Sequence, residues 1–246
     1  MSRPNFYDTL KGLFYAPSGH GKTHLIGTAA QDTNFWPMLI LDYEGGAKTI
    51  RSKIREVGIE DLGHPVEKRA DVVHTTSWDD VRAVCDFLEE DDVYRTVVVD
   101  SITEINYLCI VSCLGFAKAQ KSSHDPDVLE QRDYLRVATL MRRFIRFLRD
   151  LNVHFIMTAL AKVDEDPVTK KKKVFPNLTG KLGSEICDLV DLVGYLALDE
   201  DKEGNVERVM VFKPNPRFDA KARVEGRDIE NMYGPTIPKI YAEVMQ

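Results

Sequence analysis

The segment Ala16-Pro17-Ser18-Gly19-His20-Gly21-Lys22-Thr23 has the x4-Gly-Lys-Thr spacing of a phosphate-binding loop. That chemistry needs backbone N–H groups converging on an anion. Gly19 and Gly21 permit the backbone angles and the close approach it requires. Lys22 supplies a cation for the β- and γ-phosphates, and the Thr23 hydroxyl can hold Mg²⁺. A helix opening at the loop would add its positive dipole end. Ser18, Gly19, His20, Gly21, Lys22, Thr23 and His24 are therefore the expected nucleotide-binding residues, with ATP and Mg²⁺ as cofactors. The first position of the pattern is Ala16 where Gly is usual. A methyl group is tolerable there if the strand leaves in ordinary β geometry. His20 lies inside the loop, where a lone histidine is more often incidental than functional.

Hydrolysis also needs a carboxylate near the metal, at the C-terminal end of an apolar strand. Asp100 in Thr-Val-Val-Val-Asp-Ser holds that place. The plainer alternative makes it a cap for the next helix. The attacking water needs its own orienting group. Glu44 closes Met-Leu-Ile-Leu-Asp-Tyr-Glu just before Gly45-Gly46, so the catalytic candidates are Glu44 and Lys22. Asp42, two residues earlier, would point to the same side and is the second choice.

These residues must be positioned by a particular set of elements. Strand patterns occur at 10–16, 36–44, 71–76, 94–101 and 153–160, and helix patterns at 21–30, 77–90, 102–118 and 127–151. Ser77 with Asp80 forms a capping-box pattern. The alternation implies an α/β fold, a mainly parallel sheet flanked by helices. Residues 191–213 read as two antiparallel strands joined by a turn at 203–205. One domain over 1–246 is expected, with 1–9 as a tether and 214–246 as a C-terminal extension. Ligands in open α/β sheets bind at the carboxyl ends of strands, so Ala16, Glu44, Asp100 and Leu160 should share one rim.

Composition narrows the class. Of 246 residues, 43% are hydrophobic and 29% charged, with a net charge of −6, which excludes a uniformly basic nucleic-acid binder but not a local basic groove. No apolar run of membrane-spanning length and no signal-peptide core is apparent, so a cytoplasmic location and no membrane partner are expected. Cys85, Cys109, Cys113 and Cys187 have no zinc-type spacing and read as buried free thiols.

With their order, "APSGHGKT", "LILDYEGG" and "VVVDSITEI" resemble the RecA-like P-loop recombinase core. Within it they resemble the compact phage ATPases implicated in single-strand annealing and recombination, some described as AAA nucleotide-binding proteins. The resemblance implies that Glu44 is the catalytic glutamate and that Asp100, followed by Ser101, is linked to Mg²⁺. It implies a phage protein working in bacterial cytoplasm, slow turnover stimulated by DNA or assembly, and association into a ring or filament. Its implied partners are single-stranded DNA and a single-strand DNA-binding protein. Two DNA-contacting loops would fall near 116–128, with Lys118 and Lys121, and near 162–180, with Lys170, Lys171, Lys172 and Lys173, and Lys181 beyond. Lys213, Arg217, Lys221 and Arg223 are the candidates for a cation completing a neighbour's ATP site. The strand that usually ends in a polar γ-phosphate sensor ends here in Leu160, leaving Thr158 as the sensor candidate. Two other classes fit less well. An AAA+-type motor or loader would carry a helical lid and a Glu after Asp100, and a nucleotide-gated binding module would show little turnover.

Overall fold

The computed structural model describes residues 4–120, 125, 127–165, 170–200, 203–225 and 228–245. Its centre is a sheet whose strands are apolar on both faces. β1 (Lys11–Ala16), β2 (Met38–Asp42) and β5 (Thr96–Asp100) are buried at every position. Such strands need cover on both sides, and helices supply it. The remaining strands are β3 (Ile54–Glu56), β4 (Ala70–His74), β6 (His154–Glu165), β7 (Lys172–Pro176), β8 (Leu192–Glu200), β9 (Val206–Val211), β10 (Lys221–Ala222) and β11 (Met232–Tyr233). The order across the sheet is β11-β9-β8-β1-β6-β5-β2-β4-β3, with β10 on β8 and β7 on β6. Strands β3, β4, β2, β5, β6, β1 and β8 run parallel to their neighbours. β9, β11, β10 and β7 join antiparallel. This is the mainly parallel α/β layout of a P-loop NTPase, with antiparallel strands toward the C-terminus.

Side-chain alternation sorts the core into two layers. Leu13, Tyr15, Val97, Val99, Phe155 and Met157 face α2 (Trp78–Glu90), α3 (Ile102–Gln120), α4 (Gln131–Asp150) and α5 (Leu182–Leu189). Phe14, Ala16, Val98 and Ile156 face α1 (Lys22–Gly27) and α6 (Ile237–Val244). α2 begins with the expected capping box, in which the Ser77 hydroxyl accepts from Asp80 N. α4 buries Val137, Met141, Phe144, Ile145 and Leu148, and its outer Arg142 is paired with Glu185 at 2.6 Å.

Three expectations need correction. The helix after the phosphate loop covers 22–27, not 21–30, and the Thr28 hydroxyl donates to Leu25 O just beyond its last residue. So short a helix adds little dipole, and the loop amides carry the burden. β6 does not stop near residue 160 but runs to Glu165, because β7 pairs antiparallel with its outer half from Ala161 onward. α3 is long and apolar enough to cross a membrane by length and composition, contrary to the sequence reading. Its apolarity has a structural use, since Ile102, Ile105, Leu108, Cys109 and Cys113 are buried against the sheet.

Candidate nucleotide site

The loop of residues 17–21 joins β1 to α1. Ala16 is the last residue of β1, fully buried and paired in register with Leu160. Its methyl group therefore sits in the core, which explains why the first position of the pattern tolerates it. Gly19 and Gly21 have φ of 80° and 94°. Among the described residues, the amides from Gly19 to Thr23 donate no hydrogen bond. A row of unspent N–H groups on a glycine-rich turn suits a chain of phosphates. Lys22 Nζ donates to Ala16 O and Pro17 O at 3.2 and 3.1 Å, so its ammonium lies against the loop. Burial lowers its pKa, opposed by Asp100 and Glu44. His20 is half-buried, with Nδ1 3.2 Å from Ser18 O, whereas Ser18 and His24 are exposed.

Beside the loop stand three acidic side chains in three different environments. Asp100, 6% exposed, ends β5. Its Oδ2 accepts from Thr23 Oγ1 at 2.7 Å, and its Oδ1 accepts a short bond from Thr158 Oγ1. Burial pushes its pKa up, the two hydroxyls pull it down, and the nearby carboxylates of Asp42 and Glu44 push it up further. A buried carboxylate crowded by two others is stabilised by a cation. Glu44 lies past the end of β2, exposed to solvent, and its Oε1 accepts from Ser101 Oγ at 3.0 Å. Asp42 is fully buried, and its two oxygens accept from Gly46 N and Ala47 N at 3.2 and 3.1 Å. Asp42 thus shapes the turn that carries Glu44 and is itself spent, which removes it as the second choice for orienting water.

Among the described residues no cluster of three His, Cys, Asp or Glu side chains could hold a metal alone. Thr23 and Asp100 therefore suit an ion that takes its other ligands from phosphate and water, the usual habit of Mg²⁺.

Other neighbours were not anticipated. A Cβ on Gly46 would lie 3.1 Å from Thr23 Oγ1 and 3.8 Å from Asp100 Oδ2, so this backbone closes directly over the Thr23–Asp100 pair. The Gly-Gly after Glu44 was a signal for a turn, but not for that approach. Thr103 Oγ1 accepts from Leu160 N at 3.0 Å and ties α3 to β6. Glu104 stands close enough to Glu44 for burial and that charge to raise its pKa. Arg208 of β9 donates from Nε to His20 O at 2.9 Å. No local pattern could reveal a contact between residues so far apart in sequence.

The remaining candidates scatter. Thr158 is buried on β6, and its hydroxyl is committed to Asp100. Lys170 and Lys172 lie 3.6 and 4.0 Å from Glu165, and Lys173 lies 2.7 Å from Asp219. Lys171 and Lys181 are exposed, as is Lys118 at the end of α3, and Lys121 lies outside the described residues. Lys213 is paired with Glu230 at 2.6 Å, and Arg217 is exposed. Lys221 Nζ donates to Cys187 O at 2.6 Å, and Arg223 lies 3.4 Å from Asp191. The last two sit near the start of β8, toward the sheet edge opposite the loop.

A family model described as an AAA domain matches residues 8–224, nearly the whole α/β core. The chain belongs to the AAA domain family. No curated protein matches it. The match makes this AAA domain a P-loop protein of the nucleotide-binding ATPase type, and the matched residues include the glycine-rich loop after β1. Among the described residues the segment after β9 holds the short strands β10 and β11 and the eight-residue α6.

Proposed function

We propose that the protein is a Mg²⁺-dependent ATPase that binds single-stranded DNA in phage-type recombination or strand annealing. One observation carries the hydrolytic part. Two carboxylates with opposite surroundings converge on the loop, Asp100 buried under two hydroxyls and Glu44 exposed and held by Ser101. That separation matches two roles, a metal-side carboxylate and a water-orienting one.

In this mechanism the loop amides and Lys22 bind the phosphates and stabilise charge on the transferring group. Lys22 leaves the carbonyls of Ala16 and Pro17 to do so. Thr23 and Asp100 would hold Mg²⁺ directly or through water, and the ion would supply positive charge to offset that of the phosphates. Glu44 Oε2 faces no partner among the described residues and is free to accept from water, while Ser101 fixes the carboxylate through Oε1.

Support for the DNA part comes from β6. It passes Thr158, bonded to Asp100, then Leu160, bonded to Thr103, and continues into the arm it forms with β7. The outer end of that arm, beyond the rim where Ala16 pairs with Leu160, carries Lys170 to Lys173. A cationic arm rooted in the nucleotide site suits a backbone-tracking contact whose strength follows the nucleotide state. A cation from a neighbour in a ring or filament remains part of the proposal. Arg217, beside β7 through the bond from Val174 N to Arg217 O, is the best placed of the four candidates.

Phosphate release measured with and without single-stranded DNA tests this. Turnover that rises with DNA supports both parts. Turnover indifferent to DNA removes the coupling, and bound ATP with no turnover in either condition leaves only a nucleotide-gated binder.

A further inference from the structure

The hairpin of β8 and β9 is acidic, with Asp199, Glu200, Glu203 and Glu207 around Arg208. An exposed arginine in that setting would ordinarily pair with a carboxylate. Among the described residues Arg208 makes no ion pair, and its Nε instead donates to His20 O at 2.9 Å, across 188 positions of sequence. The guanidinium packs on Gly21. A Cβ there would lie 2.6 Å from Nε, 3.1 Å from Cζ and 3.2 Å from one terminal nitrogen. A side chain at Gly21 would thus meet both its φ of 94° and the Arg208 guanidinium, which would have to shift.

The oxygen that Arg208 holds belongs to the same peptide unit as the Gly21 N–H. In a trans peptide these two groups point in opposite directions. Fixing the His20 carbonyl toward β9 therefore fixes the Gly21 amide away from it. A cationic donor on the oxygen also polarises the unit and makes that N–H a stronger donor. Without a Cβ, Gly21 places little restraint on the φ that orients this peptide, so the carbonyl needs an outside partner to hold it.

We infer that Arg208 is a positioning residue for the phosphate loop, setting the His20–Gly21 peptide so that its N–H is presented to the phosphates of a nucleoside di- or triphosphate. The inference rests on the proposed nucleotide binding, so wild-type binding of ATP and ADP is measured first. A wild type that binds neither overturns the parent function and this role with it. Given wild-type binding, Arg208→Ala is expected to weaken both ATP and ADP by about 10-fold, the cost of ordering on binding a peptide that Arg208 otherwise pre-sets. The KM for ATP should rise in parallel while kcat stays within about twofold. Arg208→Lys, which keeps a cationic donor, should recover affinity to within about threefold of wild type. The thermal midpoint without nucleotide should not move. Unchanged affinity in Arg208→Ala overturns the inference. So does a loss of affinity matched by a fall in the nucleotide-free midpoint, or a loss confined to kcat.

Discussion

The two halves of β6 are one strand in two environments. From His154 to Ala159 it lies between β1 and β5, buried on both faces. From Ala161 to Glu165 it pairs with β7, and its last residues are exposed. In the inner half the polar side chains are committed to defined partners. Thr158 holds Asp100, and His154 Nδ1 accepts from Leu10 N at 3.0 Å. In the outer half Lys170, Lys172 and Lys173 face acids on the same arm or beside it, and Lys171 is exposed. The inner half fixes atoms for chemistry, whereas the outer half offers charge. Substitutions near the inner half should therefore change rates or stability, and substitutions in the outer half should change binding and its salt dependence.

The largest effect is expected at Glu44. Glu44→Gln keeps the oxygen that accepts from Ser101 but loses the base, so turnover should fall about 10²–10³-fold with nucleotide affinity little changed. Asp42→Asn, two residues away, should act on folding instead. It weakens the bonds to Gly46 N and Ala47 N and should cost about 1–2 kcal/mol in chemical denaturation. If Asp42→Asn abolished turnover in a fully folded protein, the division of labour between the two would be reversed.

The buried end of β6 gives the next effect. Burial, helped by Arg95 and Lys11, lowers the His154 pKa from 6.5 to about 4. The folded state therefore binds fewer protons than the unfolded chain between those values. Its stabilisation is complete above pH 6.5 and is lost as the pH falls toward about 4. The gap corresponds to about 3 kcal/mol. Denaturation midpoints of the wild type should fall over that range, and those of His154→Asn should fall much less.

That the glycine loop, Glu44 and Asp100 follow or end their strands was legible because each position is announced locally, by glycines, by an apolar strand and by an acid at its end. The parallel core was legible because strands buried on both faces are continuous apolar runs. What could not be read was whatever depends on two distant segments meeting. Asp42 and Glu44 look alike in sequence, and only the turn at Gly45 and Gly46 separates a spent carboxylate from a free one. Arg208 meets His20 only because β9 returns beside β8, itself beside β1. The extension of β6 past Leu160 was hidden because its outer residues are charged, and a strand held only by an antiparallel partner needs no apolar pattern.

The outer half yields a smaller effect with a different signature. Replacing Lys170 to Lys173 by Ala should weaken single-stranded DNA binding about 10-fold and flatten its dependence on salt, with ATP affinity unchanged. Among single changes, Lys171→Ala should match or exceed the rest, because Lys170, Lys172 and Lys173 each already face an acid. DNA binding with an unaltered salt slope in the fourfold variant would take the arm out of the contact.

The smallest expected change tests how tightly the inner site is built. Gly46 has an ordinary φ, so Gly46→Ala introduces no backbone strain, only a methyl group 3.1 Å from Thr23 Oγ1. That contact is tighter than side chains normally accept, and Thr23 cannot swing away without releasing Asp100. The variant should therefore need a few-fold more Mg²⁺ for half-maximal turnover, while nucleotide binding without metal stays as in the wild type. If the Mg²⁺ requirement is unchanged, the Thr23–Asp100 pair has slack to yield, and the inner half is less rigidly specified than its burial implies. If nucleotide binding falls with or without metal, the methyl group has disturbed the loop rather than the metal pair.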